Sequence, residues 1–369
     1  MALKTKFLLA IKVLTPLHIG TGNELVQDFD YVVFQGGKTL RLHEERILEW
    51  ISERGEDFSR LTQGVPPSEI LGPALSPDSP FVRYALPGAP QGTREIRECI
   101  KDVYDRPYLP ASSFKGALRT VLLWKIWKNR RLALAKIRLE ERKQYAAQSL
   151  EKEVFGETPH EDVLRALRLR DAQPIERDRL VLVNVRVVSR SSRNGIPIAL
   201  EAIVSQTAFL MEGHIDETAF QPWGNWSKEK FLPKEKREWL SWEFIAQAAR
   251  ERALQKLEHD IRWAERVGIK PEPWEKLSEE IHAAERSSRK GFPLQIGFGS
   301  GWLSTTLGPA LLADPDYARL VHERYGLGRN PRSGRKTPPD RYPASRRLAR
   351  LGNLDLPLGW VWVLPKEEG

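Results

Sequence analysis

The stretch Tyr108-Leu109-Pro110-Ala111-Ser112-Ser113-Phe114-Lys115-Gly116-Ala117-Leu118-Arg119-Thr120 decides how the rest of the chain is read. A proline leads into two serines, and the hydroxyl of Ser112 or Ser113 can accept from the first free amides of a helix. Leu118, Leu122 and Ile126 then recur at helical spacing, which predicts a helix from residue 112 to about 127 with one buried stripe. Lys115 and Arg119 stand four apart and so share one face of it. They could grip successive phosphates at an end where free amides and the helix dipole already favour anions. The same pattern equally describes an ordinary capped surface helix.

Toward the N-terminus, residues 7–14 alternate as a strand and turn at Thr15-Pro16. Residues 30–34 and 39–42 form a hairpin across Gly36-Gly37, and 43–53 carry Ile47, Leu48 and Ile51 at helical spacing. The stretch 62–92 is rich in Pro and Gly and reads as irregular. In the other direction, a second helix is expected over about 135–155, and strands over 180–188 and 198–210, joined by a turn at 189–195. Residues 232–286 are long, charged and helical, with Trp239, Trp242, Trp263 and Trp274. Residues 291–301 are a glycine-rich loop, and 359–364 close the chain as a strand. The order fits an α+β fold of two sheet-and-helix modules, 1–178 and 179–369, the second with a helical insertion at about 232–286.

A chain of 369 residues is long enough for two packed domains, and 41% hydrophobic content excludes a disordered tail protein. No run approaches the ~20 apolar residues that cross a bilayer, so no membrane partner is expected. The first residues alternate like a strand and lack a small-residue cleavage site, so no signal peptide is read. The single cysteine, Cys99, cannot form an internal disulfide, which fits a reducing cytoplasm, and it excludes a zinc site of clustered cysteines. No cofactor and no metal is expected. Fifty-eight Lys+Arg against 49 Asp+Glu leave a net charge of +9, which points to a polyanionic partner. Eight of the basic residues, with one acid, fall between Arg329 and Arg350 among four prolines, as a basic loop suited to phosphate contacts.

Two further segments could carry function. In Gly291-Phe292-Pro293-Leu294-Gln295-Ile296-Gly297-Phe298-Gly299-Ser300-Gly301-Trp302, three alternate glycines let backbone approach a ligand and expose amides. Phe298 and Trp302 could stack on bases of a single strand, or serve as core aromatics of a tight turn. In Leu14-Thr15-Pro16-Leu17-His18-Ile19-Gly20-Thr21-Gly22, His18 is either a general base or a hydrogen-bonded side chain that fixes the strand exit.

Leu17-His18-Ile19-Gly20-Thr21-Gly22, the segment from Leu109 to Arg119, and Ile296-Gly297-Phe298-Gly299-Ser300-Gly301, in that order over nearly the whole chain, resemble the RAMP superfamily, the repeat-associated proteins of CRISPR effector complexes. Tyr342-Pro343-Ala344-Ser345-Arg346-Arg347-Leu348, followed by Gly359-Trp360, resembles the ending of the fifth Csm subunits, which cap the head of type III-A complexes; a type III-B relative is the alternative. The resemblance implies ferredoxin-like, RRM-like modules and a non-catalytic subunit. Such a subunit binds the 3′ portion of the guide RNA (crRNA), ends the backbone filament, and supports guide maturation and antiviral defence. Its implied partners are the guide, target RNA, the backbone RAMP subunits and the small helical subunit. The RNA-binding residues implied are His18, Ser112, Ser113, Lys115, Arg119, Arg190, Arg193, Gly297, Phe298, Gly299, Gly301, Arg346 and Arg347, with the helical insertion covering RNA or meeting neighbours. Backbone subunits of such complexes cut target RNA with a loop aspartate and a divalent metal, so an endoribonuclease using Asp28 and Asp30, or His18 for guide processing, is the alternative. Asp30 directly precedes a strand, where a turn role is common.

Overall fold

Alternation in the first strand sets the core. In β1 (Lys4–Val13), Phe7, Leu9, Ile11 and Val13 are at most 2% exposed, as a half-buried strand of period two demands. It sits inside a five-stranded antiparallel sheet with β7 (Leu167–Leu169), β10 (Ala208–Asp216), β11 (Phe292–Gln295) and β14 (Trp360–Glu367), in the order β11-β14-β1-β10-β7. A second sheet takes β2 (Gly20–Val26), β6 (Glu95–Cys99), β8 (Leu180–Ser189), β9 (Pro197–Ile203), β12 (Ser345–Leu351) and β13 (Leu354–Pro357), in the order β13-β12-β8-β9-β6-β2. A small sheet joins β3 (Tyr31–Phe34), β4 (Lys38–Leu42) and β5 (Val82–Pro87). The main helices are α1 (Glu44–Glu53), α2 (Ala111–Arg130), α3 (Gln148–Phe155), α4 (Trp242–Val267), α5 (Glu272–Arg286) and α6 (Pro315–Arg324). This computed structural model describes residues 3–54, 58–130, 139–190, 195–221, 231–287, 290–329, 334 and 336–367.

In the first sheet, α2 crosses between β1 and β7 and α4 between β10 and β14, and the strands lie in the order β14-β1-β10-β7. That is the split βαβ arrangement of a ferredoxin-like module, with β11 added at its edge. The α2 stripe, Phe114, Leu118 and Leu122, is fully buried in the same core as Leu9 and Ile11. The α+β expectation therefore holds, and so does the 30–42 hairpin, where Gly36 and Gly37 both take positive φ at the turn.

Several expectations are corrected by tertiary contacts. Helix α2 starts at Ala111, so Ser112 and Ser113 lie inside its first turn; the end is capped by Asp171, whose Oδ1 accepts from Ala111 N at 2.7 Å. A carboxylate from another loop displaces the local hydroxyl. Of the helix expected at about 135–155, residues 135–138 lie outside those described and only α3 is a regular α-helix beyond them. At 139–140 the carbonyls of Leu139 and Glu140 accept from Arg324 and Tyr325 instead. The irregular stretch 62–92 holds β5, which gains its ladder from β4. The strand expected at 198–210 is two: the chain breaks at Gln206 (φ 69°) and passes from the second sheet to the first. The basic loop at 329–350 ends in a strand, β12.

The region 232–286 is not an appended insertion. Trp242 meets the Phe7 ring edge-on at 4.7 Å and stacks on Phe292, and Ile245, Ala248 and Ala249 complete that core. The remainder of α4 with α5 builds a second core around Trp263, Trp274 and Trp360. Both large sheets draw strands from both sides of residue 178, so the modules interleave in space rather than following one another.

Candidate nucleic-acid interface

Two sequence segments nearly 280 residues apart meet at one point. The turn after β1 is tied down by Thr15, whose Oγ1 accepts from Trp360 N at 2.9 Å, and by Leu17, paired with Ile203. His18 follows, 2% exposed, with Nδ1 2.6 Å from the Glu201 carbonyl oxygen. A carbonyl only accepts, so the proton sits on Nδ1. Burial holds the imidazole below its ordinary pKa, so the ring is neutral at pH 7. This is the side chain that fixes the strand exit, not an accessible base. The glycine-rich loop docks on the same turn: Phe298 N donates to the His18 carbonyl at 2.9 Å. Gly297 (φ 75°) lies so close that a Cβ there would stand 2.4 Å from that oxygen. Gly299 and Gly301 also take positive φ, so the alternate glycines are demanded by the loop's own path.

Beneath the turn lies a polar network that sequence reading missed. Glu201 is 0% exposed; its carboxylate accepts from Tyr84 Oη at 2.7 Å, Cys99 N at 2.9 Å and Lys101 Nζ at 2.5 Å. Its β9 neighbours read as a plain apolar strand, and only the charge within that run hinted at a partner. The network locks β6 to β9 directly under His18.

The loop presents Phe298 between two guanidinium groups, Arg97 at 4.9 Å and Arg347 at 5.2 Å from the ring centroid. Such contacts hold a cation over an aromatic face. Arg97 has only a loose carboxylate neighbour, Glu24 at 3.6 Å, and among the described residues no carboxylate pairs with Arg347. Partial burial and the adjacent Arg97 charge pull the Arg347 guanidinium below its ordinary pKa. Two like charges sharing one ring, with too little counter-charge, make a site that an anion would stabilise. Arg97 gave no signal in the sequence: it is one basic residue in an alternating strand, brought here by pairing of β6 with β9 and β2. Beside it, Gly299, Ser300, Gly301, Ser345 and Arg347 line a small pocket of about 80 Å³.

The other expected RNA contacts separate. Arg346 and Arg347 are neighbours in a strand and therefore point to opposite faces. Arg346 turns inward, where its Nε is 2.8 Å from Asp260 and its guanidinium covers Trp263. Lys256 bonds the other Asp260 oxygen. Burial alone would raise the Asp260 carboxyl, but these two cations hold it below its ordinary range. Lys115 and Arg119 do share a face of α2, yet neither is a free phosphate grip. Lys115 Nζ donates to the Leu167 carbonyl at 2.8 Å, and Arg119 bonds Glu151 at 2.8 Å and Asp162 at 2.6 Å over the Phe155 ring. Trp302 packs edge-on against Tyr342 at the core margin. Arg190 is exposed just beyond β8, and Arg193 lies outside the described residues.

The carboxylates weighed for catalysis have local duties. Asp28, at φ 72°, binds Arg94 at 2.6 Å; Asp30 accepts from Val26 N at 2.8 Å and faces Arg41. Among the described residues no group of three His, Cys, Asp or Glu could hold a metal ion, and no helix is long and apolar enough to cross a membrane.

The chain is similar to known proteins over most of its length. A chain in the cryo-EM structure of a Csm-crRNA-target RNA ternary complex of a type III-A CRISPR-Cas system superposes with a TM-score of 0.72 at 26% identity, covering 97% of this chain and all of that one. The crystal structure of T. onnurineus Csm5 superposes with a TM-score of 0.60 at 24% identity, over 95% and 99% of the two chains. The CRISPR system protein Csm5 of Streptococcus thermophilus is 25% identical over 214 residues, which span 53% of this chain and 59% of that protein. The family model of the RAMP superfamily matches residues 10–304. With its glycine-rich loop seated on the His18 turn, this chain belongs to the RAMP superfamily.

Proposed function

We propose that this chain is a guide-RNA-binding subunit of a type III-A (Csm) effector complex, without a catalytic centre, capping the backbone filament at the 3′ portion of the crRNA. The observation that carries the RNA part is the Phe298 ring held between Arg97 and Arg347 on the glycine-rich loop. A half-buried aromatic ring with two under-neutralised guanidinium groups over it suits a base and its flanking phosphates. The place in the complex rests on likeness to Csm5 and to a chain of a Csm-crRNA-target RNA assembly. It brings the guide, target RNA, the backbone subunits and the small helical subunit as partners. The reading without catalysis is supported by the engagement of Asp28 and Asp30 with their own loops and the burial of His18.

The test is binding of labelled guide RNA by the full chain and by the Arg97→Ala/Arg347→Ala variant across salt concentrations. Two lost phosphate contacts on a single strand should weaken binding and reduce the salt slope by about 1.4, at ~0.7 per contact. An unchanged slope in a folded variant removes the site. Ultraviolet crosslinking inside the assembled complex should join the Phe298 loop to the guide's 3′ portion; crosslinks confined to the 5′ end refute the capping position.

A further inference from the structure

A second basic space lies beyond Arg346. Helix α4 turns Arg262 and Arg266 outward, on the side away from its apolar stripe, and Arg319 of α6 faces them across an open cleft of about 760 Å³. That volume falls in the ~300–1,000 Å³ range of sites that hold a small molecule. The three guanidinium groups are exposed. Arg262 pairs with Glu258 only at the surface, where such pairs are weak. Arg266 donates to the Arg262 carbonyl, and among the described residues neither it nor Arg319 has a carboxylate partner. Among the described residues Glu265 is the one carboxylate lining the cleft, and the half-buried His259 lines it as well. The floor is apolar and aromatic: Leu303, Leu312, Pro339 and the ring of Tyr342. Leu303, Pro343 and Arg346 also wall the small pocket of the glycine-rich loop, so the two spaces stand on either side of one partition.

We propose that this cleft is a second RNA subsite, which takes the terminal nucleotide of a single strand lying across the Phe298 loop. The inference rests on the RNA-binding function proposed above. A cationic rim over an apolar floor with an aromatic face matches a nucleotide: the phosphate meets Arg266 and Arg319, and the base covers Tyr342. An acidic protein segment would use the rim alone and leave the floor unexplained. The shared partition with the loop pocket makes a strand the occupant, because a chain leaving Phe298 past Arg347 reaches the cleft next.

The experiment compares wild-type full chain, Arg266→Ala/Arg319→Ala and Arg97→Ala/Arg347→Ala against labelled single-stranded RNAs of stepwise increasing length, followed by fluorescence anisotropy. All four side chains are at least partly exposed, so the variants should fold, which circular dichroism checks. The cleft variant should bind long RNA roughly tenfold more weakly, lose about 0.7 of the salt slope for the one phosphate released, and no longer gain affinity from the last nucleotides added. It should match wild type on RNAs too short to reach the cleft. A 4-thiouridine at the strand end should crosslink to Tyr342. Equal affinity, slope and length dependence in the cleft variant overturns the inference while leaving RNA binding by the loop intact. Wild type binding no RNA overturns the functional reading itself. A defect only in joining a partner subunit, with RNA binding untouched, assigns the cleft to an acidic protein surface and also overturns it.

Discussion

Removing the Glu201 carboxylate tests whether the buried network under the His18 turn holds the interface together. In Glu201→Ala, the Tyr84 hydroxyl and the Cys99 amide each lose their acceptor, and both residues are buried. An orphaned buried donor costs about 1–3 kcal/mol. Lys101 fares better, because it keeps the Cys99 carbonyl at 3.0 Å and Glu98 at 3.5 Å. Two such donors sum to about 2–6 kcal/mol, which brackets the about 3–5 kcal/mol found when one partner of a buried ion pair is deleted. Tyr84→Phe alone removes a hydrogen bond to a charged acceptor and should cost about 1.5–3 kcal/mol. The double variant should fall short of the summed losses by about 1–2 kcal/mol, because the phenylalanine no longer strands a hydroxyl. Urea unfolding with matched m-values measures all three. Guide-RNA affinity should fall in parallel, since the Glu201 backbone carbonyl orients His18 and His18 in turn seats Phe298. A loss under about 1 kcal/mol for Glu201→Ala, or strict additivity in the cycle, would refute the reasoning.

Two other outcomes follow from the same turn. His18 is buried neutral with a lowered pKa, so the unfolded chain binds the proton more tightly. Its contribution to stability is complete above the unfolded value of about 6.5 and is lost as pH falls toward the folded value; His18→Gln should flatten that part of a stability–pH profile, and an unchanged profile shows that another group titrates. His214 and His259 are also lowered by burial and contribute slope of the same sign. Burial pushes the Cys99 thiol up to about 12, so iodoacetamide at pH 8 should leave the native chain unmodified and label it only on unfolding; rapid native labelling means β6 opens locally.

What the sequence disclosed was what is local. β1, the Gly36-Gly37 hairpin and α2 are written in short periodicities, and the alternate glycines of the loop are legible because positive φ at Gly297, Gly299 and Gly301 favours glycine. The cap of α2 was misplaced because Asp171, some 60 positions away, outcompetes the adjacent serines. Lys115 and Arg119 looked like a phosphate grip because their partners, Leu167, Glu151 and Asp162, arrive only when the chain folds back. Arg97 was invisible for the converse reason: nothing near it in sequence announces a neighbour 200 residues ahead.

Arg346 and Arg347 show most directly why a basic cluster is not yet a binding site. As a dipeptide they look equivalent, and both were expected on RNA. A strand sends one to each face, and the two faces offer different counter-charges. Inside, α4 presents Arg252, Lys256 and Asp260 at four-residue intervals. Arg252 caps the short helix after the glycine-rich loop through the carbonyls of Leu303, Ser304 and Thr306, each 2.9 Å away. Lys256 and Arg346 share Asp260. One helix face thus anchors both the loop's exit and the strand that carries Arg347. Arg346 fixes the position of that strand, and among the described residues no carboxylate pairs with Arg347. The candidate for an RNA contact is the cation without a carboxylate partner among the described residues, and Arg346, tied to Asp260, holds the strand that carries it.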